Sequence, residues 1–166
     1  MAKALERDAL EKIRLAYSDV ESDLYFLSPR RCGASKEAVD EAERALGCRF
    51  PPSYRLYLEE HNGGRFGTEL LSLIGGPGSH LVTSTLLSRK IRNDMNPYPR
   101  DTDIVIQESD EWNFYIDTTS PDHRGECPVF VHDIGQHEYR EFVAQSFLEF
   151  IESQFREMRE LKQQQV

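Results

Sequence analysis

The chain has 166 residues, a formal charge of −9, 39% hydrophobic and 30% charged residues, and three cysteines. This length favours one domain, and this composition is ordinary for a globular protein. No apolar run approaches the roughly 20 residues that span a bilayer, and the charged, amphipathic start lacks the apolar core of a signal peptide. The scattered cysteines fit reduced thiols better than a disulfide framework, so we expect a cytoplasmic protein without membrane contact.

The N-terminal segment predicts a helix from about Ala4 to Leu27. Its apolar residues recur at helical spacing, which places them on one face: Ile13, Tyr17, Val20 and Leu24. Ser28-Pro29 ends this helix, because a proline disfavours helical geometry in the residue before it.

Two shorter helices are predicted next. Ser35 suits the N-cap of a helix that ends at Gly47, where glycine can adopt the left-handed conformation. The stretch FPPSYRLYLEEHNGG, from Phe50 to Gly64, predicts a helix that starts at two prolines and ends at Asn-Gly-Gly. We assign structural roles to six residues of this motif: Pro51, Tyr54, Leu58, Asn62, Gly63 and Gly64.

Strand signals dominate the second half of the chain. Short β-branched and aromatic runs between turn residues indicate strands at 65–76, 103–107, 112–117, 128–133 and 139–143. Residues 79–89 are compatible with a turn or a short helix, and Ser146 to Glu149 is a capping-box pattern that opens a last helix. Helices, then strands, then a helix predict an α+β fold with a mostly antiparallel central sheet.

We expect one domain, because no internal repeat and no long linker divides the chain. It comprises a helical extension at 1–34, a core at 35–158 and a frayed tail at 159–166.

Metal-binding signals are weak. His123, Cys127, His132 and His137 are separated by four or five residues across a loop and a strand. Metal ligands need spacings that let their side chains converge, and these spacings do not provide that. The sequence therefore predicts no metal site.

Catalytic signals are also weak. The glycine-rich loop at 75–79 lacks the lysine of a phosphate-binding loop. The acid pairs Asp101/Asp103 and Glu108/Asp110 lie in polar sequence, which offers no burial to separate their pKa values. No helix N-terminus lies beside Cys127 to lower the pKa of its thiol. We predict no catalytic residue and no cofactor.

Acidic residues concentrate in one segment. Between Asp101 and Glu126 there are eight acids and one base, a local charge of −7. An acidic surface repels phosphate backbones and attracts basic partners, so we expect no direct nucleic-acid binding. The alternative interpretation is that these acids only keep the protein soluble. Trp112 also allows two interpretations, cross-strand packing or an anchor for a partner.

The stretch SKEAVDEAERALGCRFPPSYRLYLEEHNGG resembles the entry motif of the SUKH superfamily. The matching features are a Glu-rich helix, Leu46-Gly47, Phe50-Pro51, Tyr54, Leu58 and Asn62-Gly63-Gly64. The later IDTT, Cys-Pro-Val and Ser-Phe-Leu-Glu-Phe segments are similar to the family's closing elements. The likeness covers about 35–155, and Phe50 stands where leucine is usual.

This resemblance implies a non-catalytic α+β domain that binds another protein. Many members are bacterial immunity proteins that block a secreted toxin, often a nuclease or deaminase with a basic cleft. We therefore predict a basic toxin domain as the partner and an acidic surface as the contact. The predicted contact residues are Asp101, Asp103, Glu108, Asp110, Glu111, Trp112 and Asp122.

Two other functions stay open. The first is a regulatory or scaffold protein that binds a host factor, as the fungal cell-wall-assembly regulators of this superfamily do. The second is an enzyme or metal-binding domain, which would require the His/Cys group to be a real site. The oligomeric state is open too, because exposed strand edges can pair or be covered.

Overall fold

A computed structural model describes residues 2–16, 18, 33–66, 68–71, 73, 80–93, 97–135 and 140–164. Within these ranges the chain forms five helices and six strands. The helices are α1 (Ala2–Ala16), α2 (Lys36–Leu46), α3 (Pro52–His61), α4 (Leu81–Ile91) and α5 (Phe147–Gln164). The strands are β1 (Gly64–Phe66), β2 (Thr68–Leu70), β3 (Asp103–Glu108), β4 (Trp112–Asp117), β5 (Val129–Asp133) and β6 (Arg140–Ala144).

The strands form one antiparallel sheet in chain order, β1 to β6. This arrangement confirms the predicted α+β fold. Residues 65–76 were predicted as strand material, and the described part of this segment contains two short strands, β1 and β2, which pair with each other. Strands of three residues are too short to show the alternation that would reveal them in sequence. No helix in the described part of the chain is both long and apolar enough to cross a membrane.

The predicted caps set the ends of α2 and α3. The Ser35 hydroxyl accepts a hydrogen bond from the backbone nitrogen of Ala38 at 3.2 Å, and Gly47 ends α2 with φ of +68°. At the end of α3 the left-handed residue is Asn62, with φ of +60°. The Asn62 amide oxygen also accepts from the backbone nitrogen of Leu73 at 2.9 Å. The residue that ends α3 is thus Asn62, the first of the Asn-Gly-Gly residues, rather than Gly63 or Gly64.

One face of the sheet carries the core against α3 and α5. Ile104, Ile116 and Val129 lie on this face and are fully buried. The ring of Phe114 contacts Phe150 of α5 at 5.2 Å between centroids. Aromatic residues also fill the core between the helices, with Tyr54, Tyr57 and Phe147 buried against one another.

Helices α1 and α5 extend this core on one side. Leu10 of α1 is buried, and the Arg7 guanidinium pairs with Glu60 of α3 at 2.6 Å. Helix α5 continues to Gln164, through residues that the sequence assigns to a frayed tail. The Arg159 guanidinium donates to the carbonyl of Ala16, which gives the late turns of α5 a partner. Residues of the predicted first helix beyond 16, except 18, lie outside the described residues.

Helix α4 takes the place of a strand along part of β3. The paired residues of β2 and β3 are Leu70 and Gln107, which leaves the start of β3 to other partners. The Thr85 hydroxyl accepts from the backbone nitrogen of Val105 at 3.2 Å and donates to its carbonyl at 3.5 Å. The Arg89 guanidinium donates to the carbonyl of Asp103 at 2.9 Å. Side chains of a helix therefore satisfy the edge of this strand.

Candidate interaction surface

The acidic segment does not form one surface. Asp103 pairs with Asp117 at the open end of the β3–β4 hairpin, whereas Glu108 pairs with Asn113 beside its turn. Five residues of extended chain separate the two ends, which corresponds to about 17 Å. The predicted single acidic patch is therefore divided into two groups of acids with different surroundings.

At the open end two acids are buried and neutralised. Asp103 is 0% exposed and Asp117 is 2% exposed. Arg100 bonds to both carboxylates, and Arg140 pairs with Asp117 at 3.0 Å. The Arg140 guanidinium also lies 4.0 Å from the ring centroid of Phe130. Because Asp103 is inside the fold, it cannot contact a partner, and its predicted role as a contact residue is wrong.

The two buried acids differ in their acidity. Burial raises the pKa of Asp103, although hydrogen bonds from Arg100 oppose this effect. Burial would also raise the pKa of Asp117, but hydrogen bonds from Thr119 and Arg100 outweigh it and lower this pKa to about 2. The polar sequence around them gives no sign of this burial.

Two further acids of this end form local ion pairs. Asp101 is exposed and pairs with Arg92 at 2.6 Å. Asp122 pairs with Arg124 at 3.2 Å, and it also accepts from the backbone nitrogen of Glu126 at 2.9 Å. Both side chains are thus within reach of solvent, but a basic neighbour already compensates their charge.

Among the described residues, the acids at the turn end have no such compensation. Asp110 and Glu111 are exposed at the centre of a turn closed by a hydrogen bond from Ser109 to the carbonyl of Trp112, 2.8 Å long. Half-buried Glu108 precedes the turn, and exposed Asp133 lies opposite Trp112 on β5. No ion pair among the described residues involves any of these four acids. We call Glu108, Asp110, Glu111, Trp112 and Asp133 the turn surface.

Trp112 both packs and faces solvent. Its ring lies edge-on to Phe114, with 4.8 Å between the ring centroids, and Phe114 continues into the core through Phe150. The side chain remains half-buried. A ring that is held on one side and open on the other suits an anchor in a protein interface, because little conformational entropy is lost when it is covered.

The cations of this region lie at the opposite end of the hairpin. Helix α4 runs antiparallel to β3, since Ser84 bonds to Glu108 at 3.1 Å whereas Arg89 bonds to Asp103. The C-terminal end of α4 carries Lys90, and Arg92 follows it. Negative charge therefore collects at the turn, and positive charge at the other end.

The residues considered as metal ligands or as a thiol nucleophile are dispersed. His123 is exposed in a loop, whereas His132 is buried on β5. Burial raises the pKa of the Cys127 thiol to about 11, which disfavours the reactive thiolate. His137 lies outside the described residues. Among those described, no three His, Cys, Asp or Glu side chains are grouped so that they could hold a metal ion.

The set of contact residues predicted from the sequence omits two acids that have clear contacts in the structure. Asp133 joins the turn surface only because β5 pairs with β4, and its sequence position gives no signal of that. Glu126 is buried against the start of α3, where it accepts two hydrogen bonds from Ser53. The loop sequence around Glu126 contains no pattern that points to α3.

A comparison with protein-family models matches residues 33–153 to a family described as the SMI1 / KNR4 family (SUKH-1). The matched range runs from the residues before α2 into α5, and it includes the β3–β4 hairpin with the turn surface. Helix α1 lies outside it. The match agrees with the resemblance of the FPPSYRLYLEEHNGG stretch and supports a general role in protein binding.

Proposed function

Because the chain belongs to the SMI1/KNR4 family (SUKH-1), we propose that it is a non-catalytic immunity protein of the cytoplasm. In this function it binds a toxin domain made by the same cell and blocks the toxin's active cleft. The observation that carries the proposal is the turn surface, where four acids without ion-pair partners among the described residues lie at the same end of the sheet as one half-exposed tryptophan.

The chemistry of the turn surface fits a basic protein. Carboxylates that lack an ion-pair partner among the described residues attract a cationic surface over a distance of about 10 Å at moderate salt, which accelerates association and favours the correct partner. Trp112 supplies the apolar contact that charge alone lacks, since tryptophan is enriched among residues that dominate binding energy. Nuclease and deaminase domains have basic clefts for nucleic acid, so we propose one of these as the toxin.

The contact set narrows relative to the sequence prediction. Glu108, Asp110, Glu111 and Trp112 stay in it, and Asp133 is added. Asp101 and Asp122 are less suited to contact a basic partner, because Arg92 and Arg124 neutralise their charges.

Capture of the partner tests this proposal. The tagged protein is used to isolate bound proteins from its own cells, with washes at low and then high salt. We expect one basic protein with a small toxin domain, released by salt. The variant Asp110→Lys/Glu111→Lys should lose this partner. The matched control Glu157→Lys/Glu160→Lys makes the same charge change on exposed positions of α5 and should retain it.

The identity of the captured protein separates immunity from regulation. Co-expression of the toxin with wild-type protein should protect cells, and co-expression with the Asp110→Lys/Glu111→Lys variant should not. A cytosolic enzyme or signalling protein as sole partner, held equally well at high salt and by both variants, would contradict the proposal.

A further inference from the structure

Helix α4 has the reverse of the usual amphipathic arrangement. Its buried residues are mostly polar: Ser84, Thr85, Ser88 and Arg89, with Leu81. Its exposed residues include Leu86, Leu87 and Ile91, which are 44%, 56% and 68% exposed. Across the described ranges six large hydrophobic residues are this exposed, and half of them lie on this one helix. We call Thr83, Leu86, Leu87, Lys90 and Ile91 the α4 face.

The hydrogen bonds of the buried side fix this orientation. Thr85 satisfies both backbone groups of Val105, and Arg89 donates to carbonyl oxygens of Asp103 and Leu46. Rotating the helix to bury its leucines would leave these strand-edge groups without their partners, and a buried polar group without a partner is destabilising. The apolar residues are therefore held outward, and a contiguous exposed apolar surface is typical of an interaction site.

The charges at the two ends of α4 indicate what covers it. The N-terminal end lies beside the acidic turn, where Ser84 bonds to Glu108. The C-terminal end carries exposed Lys90 and is followed by Arg92. An antiparallel copy of the same helix brings each cationic end over an acidic end, so the surface is complementary to itself.

We propose that the α4 face is a self-association surface that pairs with the α4 face of a second copy of this chain. The twofold axis passes between Leu86 and Leu87, so that each Leu86 packs on the partner copy's equivalent of Leu87. The same axis sets Lys90 opposite Thr83 of the second copy, near its acidic turn. Such an interface is isologous and closes as a dimer. A basic toxin is a poor occupant, because exposed Lys90 on this face would repel it.

The size of the contact sets its strength. Helix α4 has 11 residues, which corresponds to a length of about 16 Å. A contact of this length is smaller than a standard stable interface, so the dimer is a weak one with a Kd on the order of 10–100 μM.

Sedimentation equilibrium of the full chain over about 5–500 μM spans this expected Kd range. We expect the average mass to rise from monomer towards dimer in the wild-type protein. Leu87→Glu should keep the protein monomeric throughout, because it buries a charge in an apolar contact. The control Leu161→Glu changes another exposed leucine, on α5, and should dimerise as the wild type does.

A charge exchange tests the antiparallel register. Lys90→Glu sets an acid near the acidic turn of the second copy, and Thr83→Lys sets a cation opposite Lys90. Each single variant should weaken the dimer roughly ten-fold, since two symmetry-related pairs change together. The double variant Thr83→Lys/Lys90→Glu recreates opposite charges and should restore association. Circular dichroism checks that each variant is folded.

Three results would overturn this inference. The wild-type protein could stay monomeric at every concentration. It could dimerise equally well with Leu87→Glu, which would assign the contact to another surface. Finally, Leu87→Glu could abolish capture of a different protein while the wild type stays monomeric, which would assign the α4 face to that protein. None of these results affects the turn surface, which is tested by its own charge reversals.

Discussion

Ser53 and Glu126 are joined by two hydrogen bonds across 73 residues of chain. The Glu126 carboxylate accepts from the backbone nitrogen of Ser53 at 2.9 Å and from its hydroxyl at 2.6 Å. Helix α3 begins with prolines, and its N-cap residue Pro51 has no side-chain cap. A distant loop residue thus supplies the acceptor that a local cap normally provides, and its negative charge suits a helix N-terminus.

Replacing Glu126 with alanine should therefore destabilise the protein. The change leaves the buried nitrogen and hydroxyl of Ser53 without an acceptor, which should lower the free energy of unfolding by about 2–3 kcal/mol. Urea denaturation measures this. The control Glu157→Ala, exposed on α5, should change stability by less than about 0.5 kcal/mol. Equal effects of the two variants would show that the Ser53 contact contributes nothing.

The depressed pKa of Asp117 should make stability depend on acidity. Its folded value of about 2 lies below the ordinary value of 3.8, so its charged form contributes stability above the ordinary value. That contribution, about 1–2 kcal/mol, is lost as the pH falls from about 4 towards 2.

Two measurements check the role of Asp117. An NMR titration of its carboxyl carbon should give a midpoint near 2. In urea denaturation, Asp117→Asn should be less stable than the wild type at pH 6, and the difference should shrink as the pH falls to 2. A carboxyl titration at 3.8 or above would contradict the prediction.

Thr85 should contribute to the stability of the protein, because its hydroxyl bonds to both backbone groups of Val105 at the open edge of β3. Thr85→Val keeps the volume but removes the hydroxyl that bonds to both backbone groups of Val105. We expect a loss of about 2 kcal/mol in the free energy of unfolding. Thr83→Val, the same change on the exposed side of the helix, is the matched control and should be within about 0.5 kcal/mol of the wild type. If both variants cost the same, α4 does not dock on β3 through Thr85.

Two glycines should respond differently to alanine. A Cβ on Gly33 would lie 1.7 Å from the carbonyl oxygen of Glu59 in α3, so the backbone must move. Gly47 has φ of +68° and open space around it, so alanine there meets only the strain of left-handed backbone, about 1 kcal/mol. We expect Gly33→Ala to cost about 3 kcal/mol or more. Thermal denaturation would contradict this order if Gly47→Ala had the lower melting temperature.

Local elements were predictable because their causes are local. Ser35, Gly47 and the prolines at 51–52 act on neighbouring backbone, so their sequence positions specify the ends of α2 and α3. The β3–β4 hairpin follows in the same way from two apolar runs that flank a polar turn. Helix α4 was harder to predict from the sequence, because its inward side is polar and its outward side is apolar. The sequence therefore allowed either a turn or a short helix there, and the packing of α4 on β3 decided for the helix.

The burial of each acid in the acidic segment depends on contacts with residues outside its own stretch of sequence. Asp103, Glu108 and Asp110 are similar in sequence, yet one is buried, one half-buried and one exposed. The difference arises because Arg100 and Arg140 reach the open end of the hairpin and not its turn. A carboxylate can be buried only when such partners neutralise it.

By itself, the amino-acid sequence determined the family, the α+β class, the ends of α2 and α3, and the excess of negative charge in the hairpin segment. These follow from short-range backbone preferences and composition, which need no knowledge of distant contacts. Only the tertiary structure decided which acids stay available to a partner, that Glu126 caps α3, and that α4 turns its leucines outward. Each of these depends on contacts between residues far apart in the chain, and burial and charge compensation are properties of those contacts.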